Sequence, residues 1–214
     1  RMGEGLSALQ TLPHEQAISI KVPSCASRWL LRRLQAFEGE AVEVRGSHSH
    51  GIDFSRESFD LAIVYQPCLG RYPHSQPLFR ERLTPVCAPA FAAKHRLFER
   101  TIEELPQLPL LHASADRRDW RNWFAAFLAT PWQPQGGQLF DTLDLAMNAA
   151  LQGFGLSLGD PTIVAEELES GALVAPFAPV LETDHEYALL ARPDSQRQGV
   201  ARTCHWLLES RDHP

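Results

Sequence analysis

An alternation of short apolar strands with amphipathic helices limits most strongly what this chain can fold into. The stretch "AISIKV" at 17–22 places Ile18, Ile20 and Val22 on one face, which is typical of a β-strand. The following "SCASRWLLRRLQAFEG" has helical apolar spacing, with Ser24 as the expected N-cap and a closing glycine. A further strand, "AVEVRG", comes next. Strand, helix and strand in this order predict parallel strands with a helix packed on the sheet.

The same order restarts after residue 89. A capping box at 101–104 begins a short helix, "LPLLH" at 108–112 is a predicted strand, and 118–130 form a predicted amphipathic helix. A helix from 143 should end at Gly153, a strand should occupy 154–158, and Asp160 with Pro161 should begin the next helix. The chain is therefore expected to be an α/β protein with a second lobe built like the first.

Charge and apolar patterning narrow the function classes. The 214 residues carry a net charge of −6, and the arginines fall in small separated groups. Because DNA binding needs clustered positive charge, we do not expect this segment to bind DNA. No apolar run reaches the roughly 18 residues of a membrane span, and the N-terminus shows no apolar signal core. We therefore expect a cytoplasmic protein without a membrane partner.

Four cysteines are spread along the chain without a C-x-x-C pair. This spacing favours reduced thiols over a disulfide framework or a zinc site. The four are Cys25, Cys68, Cys87 and Cys204.

The stretch "GLSLG" at 155–159 matches the G-x-S-x-G pattern of a serine-hydrolase nucleophile elbow. Such an elbow needs a strand before the serine, a sharp turn at it and a helix immediately after it. Here a helix precedes the motif, and the turn falls later, at Gly159 and Asp160. We interpret Ser157 as a buried strand serine, and a hydrolase using Ser157 remains the last of the alternatives.

Histidines offer weaker candidates for chemistry. His48 and His50 in "SHSH" could hold a metal, but no third ligand is marked, so we expect them to be solvated or to line a cleft. His112 and His205 are expected to be packing residues with satisfied hydrogen bonds. No cofactor is expected.

Predicted helix starts that follow strands are the better candidates for a binding site. They occur at Ser24, at the pair Asp141 and Thr142, and at Asp160. Ligands of open α/β sheets gather at the carboxyl ends of strands, where free N–H groups and the helix dipole favour anions. Two lobes that face each other at such ends would form a binding cleft that needs no catalytic groups.

The chain resembles the effector-binding domain of LysR-type transcriptional regulators, particularly the branch that includes glycine-cleavage activators. The resemblance runs in order from about residue 17 to 209. It is carried by "PSCASRWLLRRLQAF", "SFDLAIVYQ", "LFRERLTPVCAPAF", "WRNWF", "FDTLDLAMNAALQGFGLSLGD" and "LESGALVAPF".

This resemblance implies a fold like that of periplasmic type-2 binding proteins, with two Rossmann-like lobes joined by two crossover strands. Lobe I would comprise 17–87 and 188–214, lobe II 88–187, and residues 1–16 would be a remnant of the linker helix. The crossings would lie at "TPVCAP" and near "EYALLA". It further implies a homodimer or homotetramer that forms through this domain, and DNA contact only through an N-terminal helix-turn-helix that this chain lacks.

The resemblance also implies a small-molecule effector between the lobes. One wall would carry Ser24, Cys25, Ser47, His48, Tyr65 and Gln66, and the other Phe140, Asp141, Thr142, Gly159 and Asp160. We expect an amino acid or a related carboxylate or amine, with its carboxylate near Ser24 and Ser47 and its amino group facing Asp141 or Asp160. A free-standing solute-binding protein is the leading alternative to such a sensor.

Overall fold

A computed structural model describes residues 17–133 and 136–212. Residues 1–16, where the linker remnant was expected, lie outside the described residues. Within the described ranges, no helix has both the length and the apolar character needed to cross a membrane.

Eight strands and six α-helices follow one another in the described chain. The strands are β1 (Ile18–Pro23), β2 (Val42–Ser47), β3 (Leu61–Pro67), β4 (Gln76–Val86), β5 (Leu111–His112), β6 (Gln138–Leu139), β7 (Ser157–Gly159) and β8 (Leu181–Ala191). The helices are α1 (Ser27–Leu34), α2 (Pro89–Lys94), α3 (Arg118–Phe127), α4 (Leu143–Leu151), α5 (Ala165–Glu169) and α6 (Gln198–Glu209). Short 3-10 turns at Ser24–Ala26 and Ile102–Gln107 occupy positions where the sequence predicts helix.

One sheet runs through both halves of the molecule, in the order β2-β1-β3-β8-β4-β7. The strands β1 and β2 are parallel, as the first strand–helix–strand unit predicts, and β3 also pairs in parallel with β1. The long strands β4 and β8 pair antiparallel with each other, and β8 also pairs antiparallel with β3. These two strands carry the chain between the halves, so the connection by two crossover strands is confirmed.

The second half forms around β5, β6, β7 and the end of β4. Residues Thr84 to Val86 of β4 pair with β7, β5 pairs in parallel with β6, and Leu110 bridges to Leu156. We refer to the two halves as lobe I, which contains β1 to β3 with α1 and α6, and lobe II, which contains β5 to β7 with α2 to α5. The α/β architecture with two lobes is therefore present.

The helix starts differ from expectation at two of three places. The Thr142 side chain accepts a hydrogen bond from the Leu145 N–H at 3.2 Å, so it caps α4 as predicted. Ser24 caps no helix, because a 3-10 turn separates it from α1. Asp160 does not begin a helix either, because its side chain closes a turn on the Thr162 N–H and α5 starts only at Ala165.

Lobe II is built around aromatic side chains of α3. Trp120, Trp123 and Phe124 are buried, and their rings contact one another at centroid distances of 5.2 to 6.1 Å. The indole N–H of Trp123 donates to the carbonyl of Leu83 on β4 at 3.2 Å. This hydrogen bond ties the lobe II core to a crossover strand.

Candidate functional site

A cavity of about 280 Å³ lies between the two lobes, at the carboxyl ends of the strands. Residues of lobe I, of both crossover strands and of lobe II share its surface. They are Pro23, Ser24, Cys25, Ser47, His48, His50, Tyr65, Glu81, Ala113, Ser114, Arg118, Asp119, Asp141, Thr142, Leu143 and Tyr187. We call this space the cleft.

The lobe I wall follows from the register of its parallel strands. Pro23 at the end of β1 pairs with Ser47 at the end of β2, so the residues after both strands emerge side by side. Ser24 and Cys25 follow β1, and His48 follows β2. The Cys25 thiol lies 3.4 Å from the Tyr187 hydroxyl, and burial raises the pKa of this thiol.

The floor of the cleft is a half-buried carboxylate on a crossover strand, that of Glu81, which the sequence did not indicate. Glu81 accepts hydrogen bonds from the Tyr65 hydroxyl at 2.8 Å and from the Thr183 hydroxyl at 2.8 Å. Burial raises the pKa of Glu81, and the carboxylate of Asp119 across the cleft adds to this effect. The groups that could bind a ligand on this floor are therefore acidic and phenolic.

The lobe II wall combines the starts of two helices. Asp141, Thr142 and Leu143 lie at the start of α4. Ser114, Arg118 and Asp119, which the sequence analysis did not select, come from the start of α3 and the loop before it.

Charges of both signs meet at this second wall. The Arg118 guanidinium lies 3.7 Å from the Asp119 carboxylate, and burial raises the pKa of Asp119. The cleft thus contains three carboxylates, those of Glu81, Asp119 and Asp141, and one guanidinium. The three carboxylates favour a ligand with a positively charged group. The Arg118 guanidinium could bind a carboxylate of the same ligand.

Seven of the eleven residues expected at the site line the cleft, and four do not. Gln66 is buried in lobe I, where its amide group donates to Glu186 and to Ser75 at 3.0 Å each. Phe140 packs against the core. Gly159 lies under Val86, because a Cβ atom there would be 2.8 Å from a Val86 methyl group.

Asp160 is also absent from the cleft wall, and its side chain has a structural partner. This residue is 2 % exposed, and its carboxylate accepts the N–H of Arg82 at 2.9 Å and the N–H of Thr162 at 2.8 Å. It joins a crossover strand to the turn after β7. The expectation that Asp160 faces an effector amino group is therefore not supported by its position.

Comparison with known proteins decides the family. The profile of the LysR substrate-binding domain matches residues 13–212. The chain belongs to this family.

Relatives of this LysR domain are transcriptional regulators. It is 28% identical to the glycine cleavage system transcriptional activator of Escherichia coli K12 over 97% of the chain and 69% of that protein. It is 35% identical to the HTH-type transcriptional regulator PerR of the same organism, over 72% of the chain and 52% of that protein. The effector domain of AmpR from Pseudomonas aeruginosa superposes with a TM-score of 0.74 at 26% identity, covering 91% of this chain and 95% of that one.

These findings confirm the effector-binding domain of a LysR-type regulator with the fold of type-2 periplasmic binding proteins. The family consists of regulators and not of enzymes, so the hydrolase alternative is not favoured. The free-standing solute-binding protein is likewise not favoured.

Ser157 of the LysR domain is a strand residue, as interpreted from the sequence. It is the first residue of β7 and is 1 % exposed. The glycine two residues before it is required by packing, because a Cβ on Gly155 would lie 2.3 Å from the carbonyl oxygen of Pro109. Both glycines of the motif therefore have a packing role that does not involve a nucleophile.

The histidines take positions that the sequence only partly indicated. His48 and His50 line the cleft, and the His50 ring meets the Tyr65 ring edge-on at 5.3 Å between centroids. Burial, together with the positive charge of Arg118, lowers the pKa of His50. Among the residues that the structure describes, no three His, Cys, Asp or Glu side chains are grouped to hold a metal ion.

Of the two histidines expected to be packing residues, His112 is buried and His205 is not. His112 is 2 % exposed, yet neither ring nitrogen has a hydrogen-bond partner. His205 is exposed on α6 and lies 3.1 Å from Glu209. Position in a predicted strand or helix indicates burial, but it does not indicate which polar partner a ring will meet.

Proposed function

We propose that this domain senses a small amino-bearing carboxylate, of the size of a single amino acid, in the cleft between its lobes. The observation that carries the proposal is the composition of the cleft. It brings together Ser24, Ser47 and Asp141, which were expected at the ligand from opposite walls. A volume of about 280 Å³ is near the lower end of typical ligand sites, about 300 to 1,000 Å³, and so favours a small metabolite.

Polarity in the cleft supports a definite orientation of the ligand. The hydroxyls of Ser24 and Ser47 on lobe I suit a carboxylate, which Arg118 on lobe II would also attract. An ammonium group would be held by Asp141 and Asp119, with Glu81 on the floor. The Escherichia coli relative is named for the glycine cleavage system, which is consistent with an effector from amino-acid metabolism.

Binding would act by population shift. An effector that contacts both walls favours one angle between the lobes and makes that angle more populated. In the whole regulator this change would pass through a homodimer or homotetramer of this domain to a helix-turn-helix outside this chain, in the cytoplasm. In this proposal, the chain passes from lobe I to lobe II between residues 87 and 88 and returns between residues 187 and 188.

A thermal-shift screen tests the proposal. The purified domain is heated with each of a panel of amino acids, amines and small carboxylates. A ligand at about 100 times its dissociation constant should stabilise the fold by roughly 2.7 kcal/mol. Stabilisation by amino acids, and neither by amines nor by carboxylates alone, is the expected result.

Two variants then test the orientation. Ser24→Ala and Asp141→Ala each remove one charged hydrogen bond to the ligand, which typically contributes about 1.5–3 kcal/mol, or roughly 10- to 150-fold in affinity. Cys68→Ser, on a side chain outside the cleft, is the control. If both cleft variants bind within about twofold of the wild type, the orientation is wrong.

A further inference from the structure

One face of α1 in lobe I carries two arginines that contact lobe II. Arg28 and Arg32 are four residues apart, so both project from the same side of the helix. Arg28 donates to Asp144 at 3.3 Å and to Asn148 at 2.9 Å on α4, and it also pairs with Glu167 on α5. One guanidinium nitrogen of Arg32, Nη2, donates to both carboxylate oxygens of Glu169 on α5, at 2.8 and 3.1 Å.

These contacts lie beside the cleft, because Cys25 and Leu143 line both the cleft and the recess at Arg28. Arg28 follows Cys25 by less than one helical turn, and Asp144 is two residues after Thr142. Cys25 and Arg28 share a small recess with Leu143 and Asp144. A rotation that moves α1 away from the start of α4 would therefore lengthen the contacts of Arg28 as well as widen the cleft.

The ion pairs of Arg28 are partly shielded from water. The side chains of Arg28, Asp144 and Glu167 are 25%, 31% and 16% exposed. Charged hydrogen bonds are the stronger ones, and screening by salt is weaker for partly buried groups than for exposed ones. The Arg32 pair is more exposed, because Glu169 is 57% exposed, and it should hold less strongly.

The crossover strands supply a place where the lobes can rotate. The pairing of β4 with β8 shifts register between Pro77 and Phe79 and again between Arg80 and Arg82. Such irregularities interrupt the regular ladder and bend the strand. They lie where the chain passes from lobe I towards lobe II.

We propose that Arg28 and Arg32 form an ionic clasp between the lobes, which holds the cleft closed when no effector is bound. The clasp consists of Arg28 and Arg32 with Asp144, Asn148, Glu167 and Glu169. The clasp should also raise the affinity for the effector, and this part of the inference rests on the proposed function. A ligand that needs the closed cleft binds more weakly when the closed state is rarely populated, and the clasp keeps that state populated. The closure itself is independent of any ligand.

The native cysteines provide a direct assay of closure. The ligand-free chain is treated with iodoacetamide, and the alkylation rate of each cysteine is followed by peptide mass spectrometry. Cys25 lines the cleft, whereas Cys87 in lobe II and Cys204 in lobe I are buried in the cores. Opening of the cleft should expose Cys25 alone, and unfolding should expose all of them.

Arg28→Gln is the main variant. We expect the alkylation rate of Cys25 to rise about fivefold or more, which is the lower range for coupled sites, with Cys87 and Cys204 unchanged. Losing a nearby positive charge would by itself raise the thiol pKa and slow the reaction, so a faster rate reports opening. Arg32→Gln should give a smaller increase, and Arg28→Lys a partial one.

The control is Arg96→Gln, which removes an arginine–glutamate pair that lies wholly within lobe II and is more exposed than the clasp, between Arg96 and Glu99. It should leave the Cys25 rate unchanged. A Cys25 rate within twofold of wild type in both Arg28→Gln and Arg32→Gln contradicts the clasp. An equal increase at Cys25, Cys87 and Cys204 in both variants also contradicts it, since the arginines would then stabilise the whole fold. Because no ligand is used, these outcomes are separate from failure of the effector proposal.

Discussion

Replacing Asp160 with alanine should destabilise the domain substantially, although the residue was expected to contact the effector. The change removes two hydrogen bonds from a buried carboxylate and leaves the N–H groups of Arg82 and Thr162 without partners. Hydrogen bonds to charged groups contribute about 1.5–3 kcal/mol each. Burial also raises the pKa of Asp160, so the carboxylate carries a desolvation cost that alanine removes. We therefore expect a net loss of about 3 kcal/mol, below the simple sum.

Thermal unfolding followed by circular dichroism measures this loss. For a chain of 214 residues, about 3 kcal/mol corresponds to a fall in Tm of roughly 6–12 °C. The matched control is Asp141→Ala, because Asp141 is exposed and its side chain accepts no hydrogen bond from the described residues. The control should change stability by less than about 1 kcal/mol, the scale of a helix-dipole interaction. An Asp160→Ala variant with the Tm of the wild type and a lost ligand response would refute this reasoning and return Asp160 to the effector site.

Three further predictions concern packing, pH and the serine motif. Gly155→Ala should destabilise the fold by about 1–3 kcal/mol in chemical denaturation, because its Cβ would overlap the Pro109 carbonyl; an unchanged midpoint would contradict the close approach. Burial raises the pKa of Glu81 above 4.5, so its contribution to stability is complete below that pH and is lost as the pH rises through the folded-state pKa. Glu81→Gln should therefore gain stability relative to the wild type as the pH rises above 4.5, and a pH-independent difference in Tm would contradict the raised pKa. Ser157→Ala should leave effector affinity within about twofold, since the side chain is buried in β7; ester hydrolysis that disappears in this variant would overturn the strand interpretation.

Local periodicity predicted the first lobe well. The strands β1 and β2 and the helix α1 lie where the apolar spacing of the sequence predicts them. Because the strands are parallel, their carboxyl ends meet at one edge, and this alone brings Ser24 close to Ser47. Thr142 was also predictable, because its hydroxyl caps the helix that it precedes.

Asp160 shows where the same reasoning fails. An Asp-Pro pair has the same local sequence pattern whether the aspartate carboxylate caps a helix or accepts a hydrogen bond from a distant strand. The partner that decides between these, the N–H of Arg82, is 78 residues away. Long-range backbone hydrogen bonds of this kind leave no local pattern.

Glu81 and the Arg118–Asp119 pair were missed for a related reason. Glu81 is one charged residue in an alternating strand, and only the position of lobe II determines that it faces the cleft. Arg118 and Asp119 lie at the start of α3. The sequence pattern of this helix reveals its apolar face but not the surroundings of its polar residues. Which polar face of an element borders a ligand depends on the arrangement of the lobes, which periodicity does not report.

The central claim is that an amino-bearing carboxylate binds between the lobes. The most direct test is a crystal structure of the domain with the amino acid that stabilises it most in the thermal-shift screen. The account predicts electron density for the ligand in the cleft, with its carboxylate at Ser24 and Ser47 and its amino group within hydrogen-bond distance of Asp141 or Asp119. A ligand bound outside the cleft, or bound in the cleft without a contact to both lobes, would contradict it.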